Sequence, residues 1–191
     1  MISFLDIFTE KYEYILNHRF STFLKMFEYL ESLNKNFYSI VETGMARQQN
    51  NYSGDGMSTL IFDEFISLHD GELYSVDLDP NAIKLCHPLV SSKTSLVQSD
   101  SVQFLFELSK TDINIDLLYL DSFDLDWNNP HPSSFHHMKE LTAIIPRIKT
   151  GTLVVVDDNM QGIGKGQYVR QFMDNIGKEP YFDEYQVGWI W

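Results

Sequence analysis

A chain of 191 residues, 43% hydrophobic and 14% aromatic, can bury one good core and is too short for two comfortable domains. Its formal net charge of −13 argues against nucleic acid or an anionic membrane as partner, because phosphate contacts need Lys and Arg. The single cysteine, Cys86, excludes an intramolecular disulfide, and there is neither an apolar run of membrane-spanning length nor a basic-then-apolar leader, so a cytoplasmic location is expected.

Residues 4 to 33 are helical by periodicity, with Phe20, Phe23, Leu24, Phe27 and Leu30 on one stripe and Asn17-His18-Arg19 as an interruption. The segment 1–36 is expected to cap one sheet face or edge, or to pack against a second copy of the chain as a homodimer contact. Residues 37–191 form the rest of one compact unit.

Tyr38-Ser39-Ile40-Val41 reads as a buried strand, stopped at Glu42-Thr43-Gly44. After a polar loop with Gly54-Asp55-Gly56, helical spacing starts near Met57-Ser58 and runs through Leu60, Ile61, Phe65 and Leu68. In an open α/β sheet this loop lies at the strand's carboxyl end, the usual crevice for a nucleotide-like ligand. Nine residues separate Gly44 from Gly54, so no compact GxGxxG places a pyrophosphate on the helix N-terminus. With Glu42 at the strand end, the loop suits a ligand carrying an amino acid and a cation better than one carrying phosphates. Glu42, Thr43, Gly44, Gly56 and Ser58 are the candidate binding residues here.

Strand 72–77 ends in Asp77-Leu78-Asp79-Pro80, with Pro80 opening a helix. Asp77 is placed to accept from two vicinal ribose hydroxyls, and Asp79 to cap the helix. Strand 95–98 closes in Ser99-Asp100-Ser101; Asp100 suits an exocyclic amine, an N-cap, or both. Strand 116–120 ends in Asp121-Ser122-Phe123-Asp124, followed by a Pro-rich loop 126–133 and a helix carrying His136 and His137. Gly151 to Val156 is the most strand-like stretch and is expected to be central and parallel. It ends in Asp157-Asp158-Asn159. Gly162, Gly164 and Gly166 then give a loop expected to be mobile around Lys165 and to close over an acceptor. A helix over 167–176 and one or two antiparallel edge strands over 181–191 complete the chain.

Strands alternating with helices predict an α/β, doubly wound, mostly parallel sheet with N-terminal helices. The strand ends Glu42, Asp77, Asp100, Asp121 and Asp157 are expected to converge on one crevice. Like charges gathered there repel unless something cationic sits among them. A sulfonium supplies one positive charge, and Asp121 with Asp157 and Asp158 offers the hard oxygen ligands that Mg²⁺ prefers.

These motifs, in this order and at these separations, resemble the class I S-adenosylmethionine-dependent methyltransferases from about Phe37 to the C-terminus. The resemblance implies a Rossmann-like fold that binds S-adenosylmethionine through Glu42, Thr43, Gly44, Gly56, Ser58, Asp77, Asp100, Ser101 and Asp121. Within that superfamily, Asp121 and Asp157, with Asp158 or Asn159 as the third ligand, are similar to the Mg²⁺ site of catechol-type and macrolide-sugar O-methyltransferases, where the metal chelates the substrate's hydroxyls. The sugar enzymes carry a His three residues after the first metal ligand as general base, whereas this chain has Asp124. His131, His136 and His137 are the other candidate bases, and Asp121, Asp124 and His136 form the implied catalytic set. Arg47, in the stretched loop, is placed to meet the methionine carboxylate or an acidic substrate. The implied activity is in-line methyl transfer to a hydroxyl of a small-molecule acceptor with Mg²⁺ assistance. A metal-independent N- or protein methyltransferase and a catalytically silent cofactor-binding module are the alternatives.

Overall fold

The computed structural model describes residues 3–191. Ser3 caps the first helix, α1 (Phe4–Tyr12), through a reciprocal box with Asp6. A 3-10 turn at Asn17–Arg19 then leads into α2 (Phe20–Ser32). The remaining helices are α3 (Ser58–Leu68), α4 (Pro80–Cys86), α5 (Ser101–Leu108), α6 (His131–Ile144) and α7 (Gln167–Asn175). The strands are β1 (Tyr38–Thr43), β2 (Gly71–Asp77), β3 (Thr94–Gln98), β4 (Leu117–Leu120), β5 (Leu153–Val156), β6 (Asn159–Met160), β7 (Ile163–Gly164), β8 (Phe182–Asp183) and β9 (Val187–Ile190).

Seven strands form one sheet in the order β3-β2-β1-β4-β5-β9-β8. β1 to β5 run parallel, β9 pairs antiparallel with β5 and β8 antiparallel with β9, so β5 meets a parallel neighbour on one side and an antiparallel one on the other. The doubly wound sheet expected from the sequence is present, with the antiparallel edge strands where they were placed. Strand order reverses between β1 and β4, and a crevice opens beyond the strand ends at such a switch point.

Alternation along the central strands explains their unbroken apolar runs. Leu117, Tyr119, Leu153 and Val155 face a core built with α1, α2 and α3, including Phe8, Phe23, Phe27 and Phe62. Leu118, Leu120, Val154 and Val156 face the opposite core with Leu105, Leu141, Met173 and Trp189 from α5, α6, α7 and β9. Both faces are covered, so no polar residue is needed in either register. The aromatic stripe of α2 is spent on the sheet, Phe23 meeting the Tyr119 ring at 5.8 Å. Among the described residues, no helix is long and apolar enough to cross a membrane.

Candidate active site

A cavity of about 380 Å³ opens at the switch point, within the range of small-molecule sites. One end is built from the loops after β1, β2 and β3. Asp77 lies on its wall, its Oδ2 accepting from the Met45 N–H at 2.9 Å and its Oδ1 from the Asp79 N–H at 2.8 Å. Two backbone donors therefore fix the carboxylate and leave each oxygen a further lone pair. Gly44, Ser99 and Ser101 line the same end, flanked by the exposed side chains of Leu78 and Phe123. Asp79 caps α4 by accepting from the Asn81 N–H at 2.9 Å, as expected.

Convergence of all five acidic strand ends is corrected by the structure, because only Asp77 and Asp121 of that set reach the cavity wall. Asp100 accepts from the Gln103 N–H at 2.9 Å and caps α5 outside it. Glu42 is fully buried beneath the loop, held by the Thr59 and Ser75 hydroxyls, with its Oε1 unpartnered. Thr43 is buried in the β1–β4 pairing, and Ser58 is buried in the first turn of α3. Gly56 has φ +73°, and a Cβ there would sit 3.0 Å from Arg19 Cδ, so this glycine makes room for an arginine.

The deep end holds the carboxylates for which the sequence reading expected a metal. Asp121, Asp157 and Asp158 each bring an oxygen within 4.8 Å of the others. The chain supplies its own cations there. Lys165 Nζ lies 2.6 Å from Asp121 Oδ1 and 3.0 Å from Asp158 Oδ2, and also donates to the Asp121 carbonyl at 3.3 Å. Arg19, brought in by the 3-10 turn before α2, donates from Nε and Nη2 to Asp157 Oδ2 at 3.2 and 3.1 Å. Its Nη2 also reaches Asp158 Oδ1 at 3.4 Å, and the Tyr185 hydroxyl donates to that oxygen at 2.6 Å. Burial alone would depress the Lys165 ammonium, but Asp121, Asp158 and Asp157 together hold it above the ordinary lysine value. Burial pushes the Asp121 carboxyl up; Lys165 pulls it back in part, and Asp157 and Asp158 add to the rise.

The donor set is thus of the hard type Mg²⁺ favours, but its oxygens are already committed to an ammonium and a guanidinium. Two positive charges stand against three negative ones, and a divalent ion would make the count four against three in a buried space. The residues as arranged do not fit a resident divalent metal.

Lys165, expected in a free loop over the acceptor, lies inside the structure beneath a short hairpin. Lys165 is only 4% exposed, and β6 and β7 form a tight hairpin that returns it to Asp158. Gly164, at φ +135°, lies where a Cβ would come within 2.0 Å of the Asp158 carbonyl oxygen. The glycine allows this close backbone approach. Gly164→Ala is expected to cost about 1–3 kcal/mol of stability in urea unfolding, the scale of one forced backbone conformation.

Among the candidate bases, His136 lines the cavity. Its Nε2 is 2.9 Å from Ser101 Oγ and 3.5 Å from Oε1 of the buried Glu140. Asp124, at the mouth, pairs with Arg47 at 2.6 Å and is 80% exposed. His137 is fully buried, its Nδ1 2.7 Å from the Ser133 carbonyl. His131 meets the Tyr168 hydroxyl at 2.8 Å, away from the cavity. Arg19 and Lys165 are the site residues that the sequence reading did not assign.

No protein-family model matches the sequence, and no curated protein matches it. Solved structures do resemble it. The chain is similar to the O-methyltransferase NovP, with 16% identity and a TM-score of 0.57 over 87% of this chain and 76% of that one. It is similar to a TehB-like SAM-dependent methyltransferase from Corynebacterium glutamicum, with 12% identity and a TM-score of 0.51 over 86% and 85% of the two chains. It also resembles SMU.1697c from Streptococcus mutans, solved in complex with SAH, with 10% identity and a TM-score of 0.56 over 88% and 96%. The fold is therefore the Rossmann-like methyltransferase fold.

Proposed function

We propose that the chain is an S-adenosylmethionine-dependent methyltransferase acting on a hydroxyl of a small-molecule acceptor. The observation that carries this reading is Asp77, fixed by the Met45 and Asp79 amides on the wall of a cavity at the switch point of this fold. Its two oxygens suit the vicinal hydroxyls of a ribose, and Leu78 and Phe123 offer apolar faces for a flat base nearby. Gly44 lines the path toward the deep end, where Asp121, Asp157 and Asp158 outnumber Lys165 and Arg19 and leave one net negative charge for a sulfonium. Glu42, Thr43 and Ser58 are buried beneath that loop, Gly56 makes room in it for Arg19, and Asp100 fixes the start of α5. When bound, S-adenosylmethionine supplies a methyl group already activated for displacement.

The chain's own task is alignment and proton handling. Holding two reactants at near-attack distance is worth several orders of magnitude in rate. His136 receives the acceptor's proton in this reading, and the buried Glu140 behind it stabilises the resulting imidazolium. Lys165 stays protonated among its carboxylates and is not the base. Asp124 and Arg47, paired at the mouth, border the acceptor's entrance. The net charge of −13 supports a small-molecule acceptor over nucleic acid.

Isothermal titration tests the cofactor. Asp77→Ala should weaken S-adenosylmethionine binding by about 1.5–3 kcal/mol, the range for hydrogen bonds to a charged group, or roughly 10- to 150-fold. Absence of heat with S-adenosylmethionine and S-adenosylhomocysteine, beside clear binding of NAD(H), would sink the assignment.

A further inference from the structure

The carboxylates after β4 and β5 are arranged as for a divalent ion, yet everything that faces them comes from the chain itself. Lys165 Nζ donates to Asp121 Oδ1 and to the Asp121 carbonyl and pairs with Asp158 Oδ2 at 3.0 Å. Arg19 spans both oxygens of Asp157, at 3.4 Å to Oδ1 and 3.2 Å to Oδ2 from Nε, and its Nη1 reaches the Ser53 carbonyl at 3.3 Å. Both cations are sealed in, their side chains 5% exposed. Each is also held by a feature with no other evident purpose. The β6–β7 hairpin, closed at Gly164, returns Lys165 to Asp158, with the Lys165 N–H on the Asp158 carbonyl at 3.1 Å. Gly56 leaves space for the Arg19 stem, and the Tyr185 ring lies 4.6 Å from its guanidinium carbon.

We infer that Lys165 and Arg19 are a built-in replacement for a divalent metal: the intact protein takes no such ion here, and its acceptor presents a lone hydroxyl, not a chelating diol. A point charge with three donors can bridge carboxylates from two strand ends as a small cation does. Unlike a metal ion, it keeps no open coordination position for a substrate oxygen, so the acceptor must be oriented by direct contacts. Lys165 and Arg19 are accordingly positioning residues that hold the strand ends in place. The choice of acceptor rests on the methyltransferase reading above; the exclusion of metal does not.

Metal binding alone separates the two. Mn²⁺ is titrated into the full chain without cofactor, and free Mn²⁺ is followed by its electron paramagnetic resonance signal. Wild type is expected to show no saturable binding below millimolar concentration. Lys165→Met should gain one saturable site at least tenfold tighter, and the added substitution Asp157→Asn should abolish it. Lys165→Gln, which keeps a polar side chain, repeats the test should the Met variant fold poorly by circular dichroism. Tight binding to wild type would overturn the inference, as would no gain in either folded variant. Cofactor titration of the same samples in EDTA reports separately, so failure of the metal result leaves the cofactor assignment standing, and the converse holds too.

Discussion

Replacing Arg19 with Met is expected to lower the unfolding free energy by about 3–5 kcal/mol, the cost of leaving one member of a buried ion pair without its partner. Asp157 is fully buried, and both its oxygens accept from Arg19. Without the guanidinium it must either stay charged in a low-dielectric site or take up a proton. The double variant Arg19→Met with Asp157→Asn removes both charges and should recover a substantial part of the loss. Urea unfolding of the two variants and wild type closes the cycle. A loss below about 1 kcal/mol for Arg19→Met would mean that the pair is wetter and looser than its geometry shows.

The same pair marks the limit of what the sequence displays. Strands and helices were legible because their signals are local: the apolar, Val-rich run Leu153–Val156, the Pro80 start of α4, the aromatic stripe of α2. Asp77 and Asp121 were legible because a strand's end fixes where its last side chain falls. Arg19 carries no such mark. Its partner is 138 residues away, and only the packing of α2 against the sheet brings them together. The N-terminal helices thus cover a sheet face and also supply a charge to the site. Lys165 was within view, between two glycines and a few residues after Asp157-Asp158. Electrostatics required a cation among the three carboxylates, and the chain's own basic residues satisfy that requirement. The glycines beside it signal freedom or close approach with equal force. Only the distance from Gly164 to the Asp158 carbonyl decides for close approach.

Glu42 gives the second large expected effect, visible as a dependence on pH. Burial pushes its carboxyl up to about 7 from an ordinary 4.5, against the lowering pull of the nearby Ser58, Ser75 and Thr59 hydroxyls and with a further push from Asp77. A carboxyl raised in the fold binds more protons there than in the unfolded chain between those two values. Its contribution is fully present below about pH 4.5 and is lost as pH rises through 7. The gap from 4.5 to about 7 corresponds to about 3 kcal/mol, at 1.36 kcal/mol per unit. Two other buried groups slope the opposite way. Burial lowers His137 to about 4, and His137 with the His136, Ser101 and Ser122 hydrogen bonds lowers Glu140 to about 2 despite its burial, so both favour the fold at higher pH. Between about pH 4.5 and 6.5 Glu42 and His137 offset each other, and the wild-type profile alone does not display either. Glu42→Gln isolates the term, because Gln keeps an oxygen for Thr59 and Ser75 and does not titrate. Measured by urea unfolding, the stability of the variant minus that of wild type should rise by about 3 kcal/mol from pH 4 to pH 8, whatever its fixed offset. A difference constant across that range to within about 0.5 kcal/mol would show that Glu42 ionises in the fold at its ordinary value.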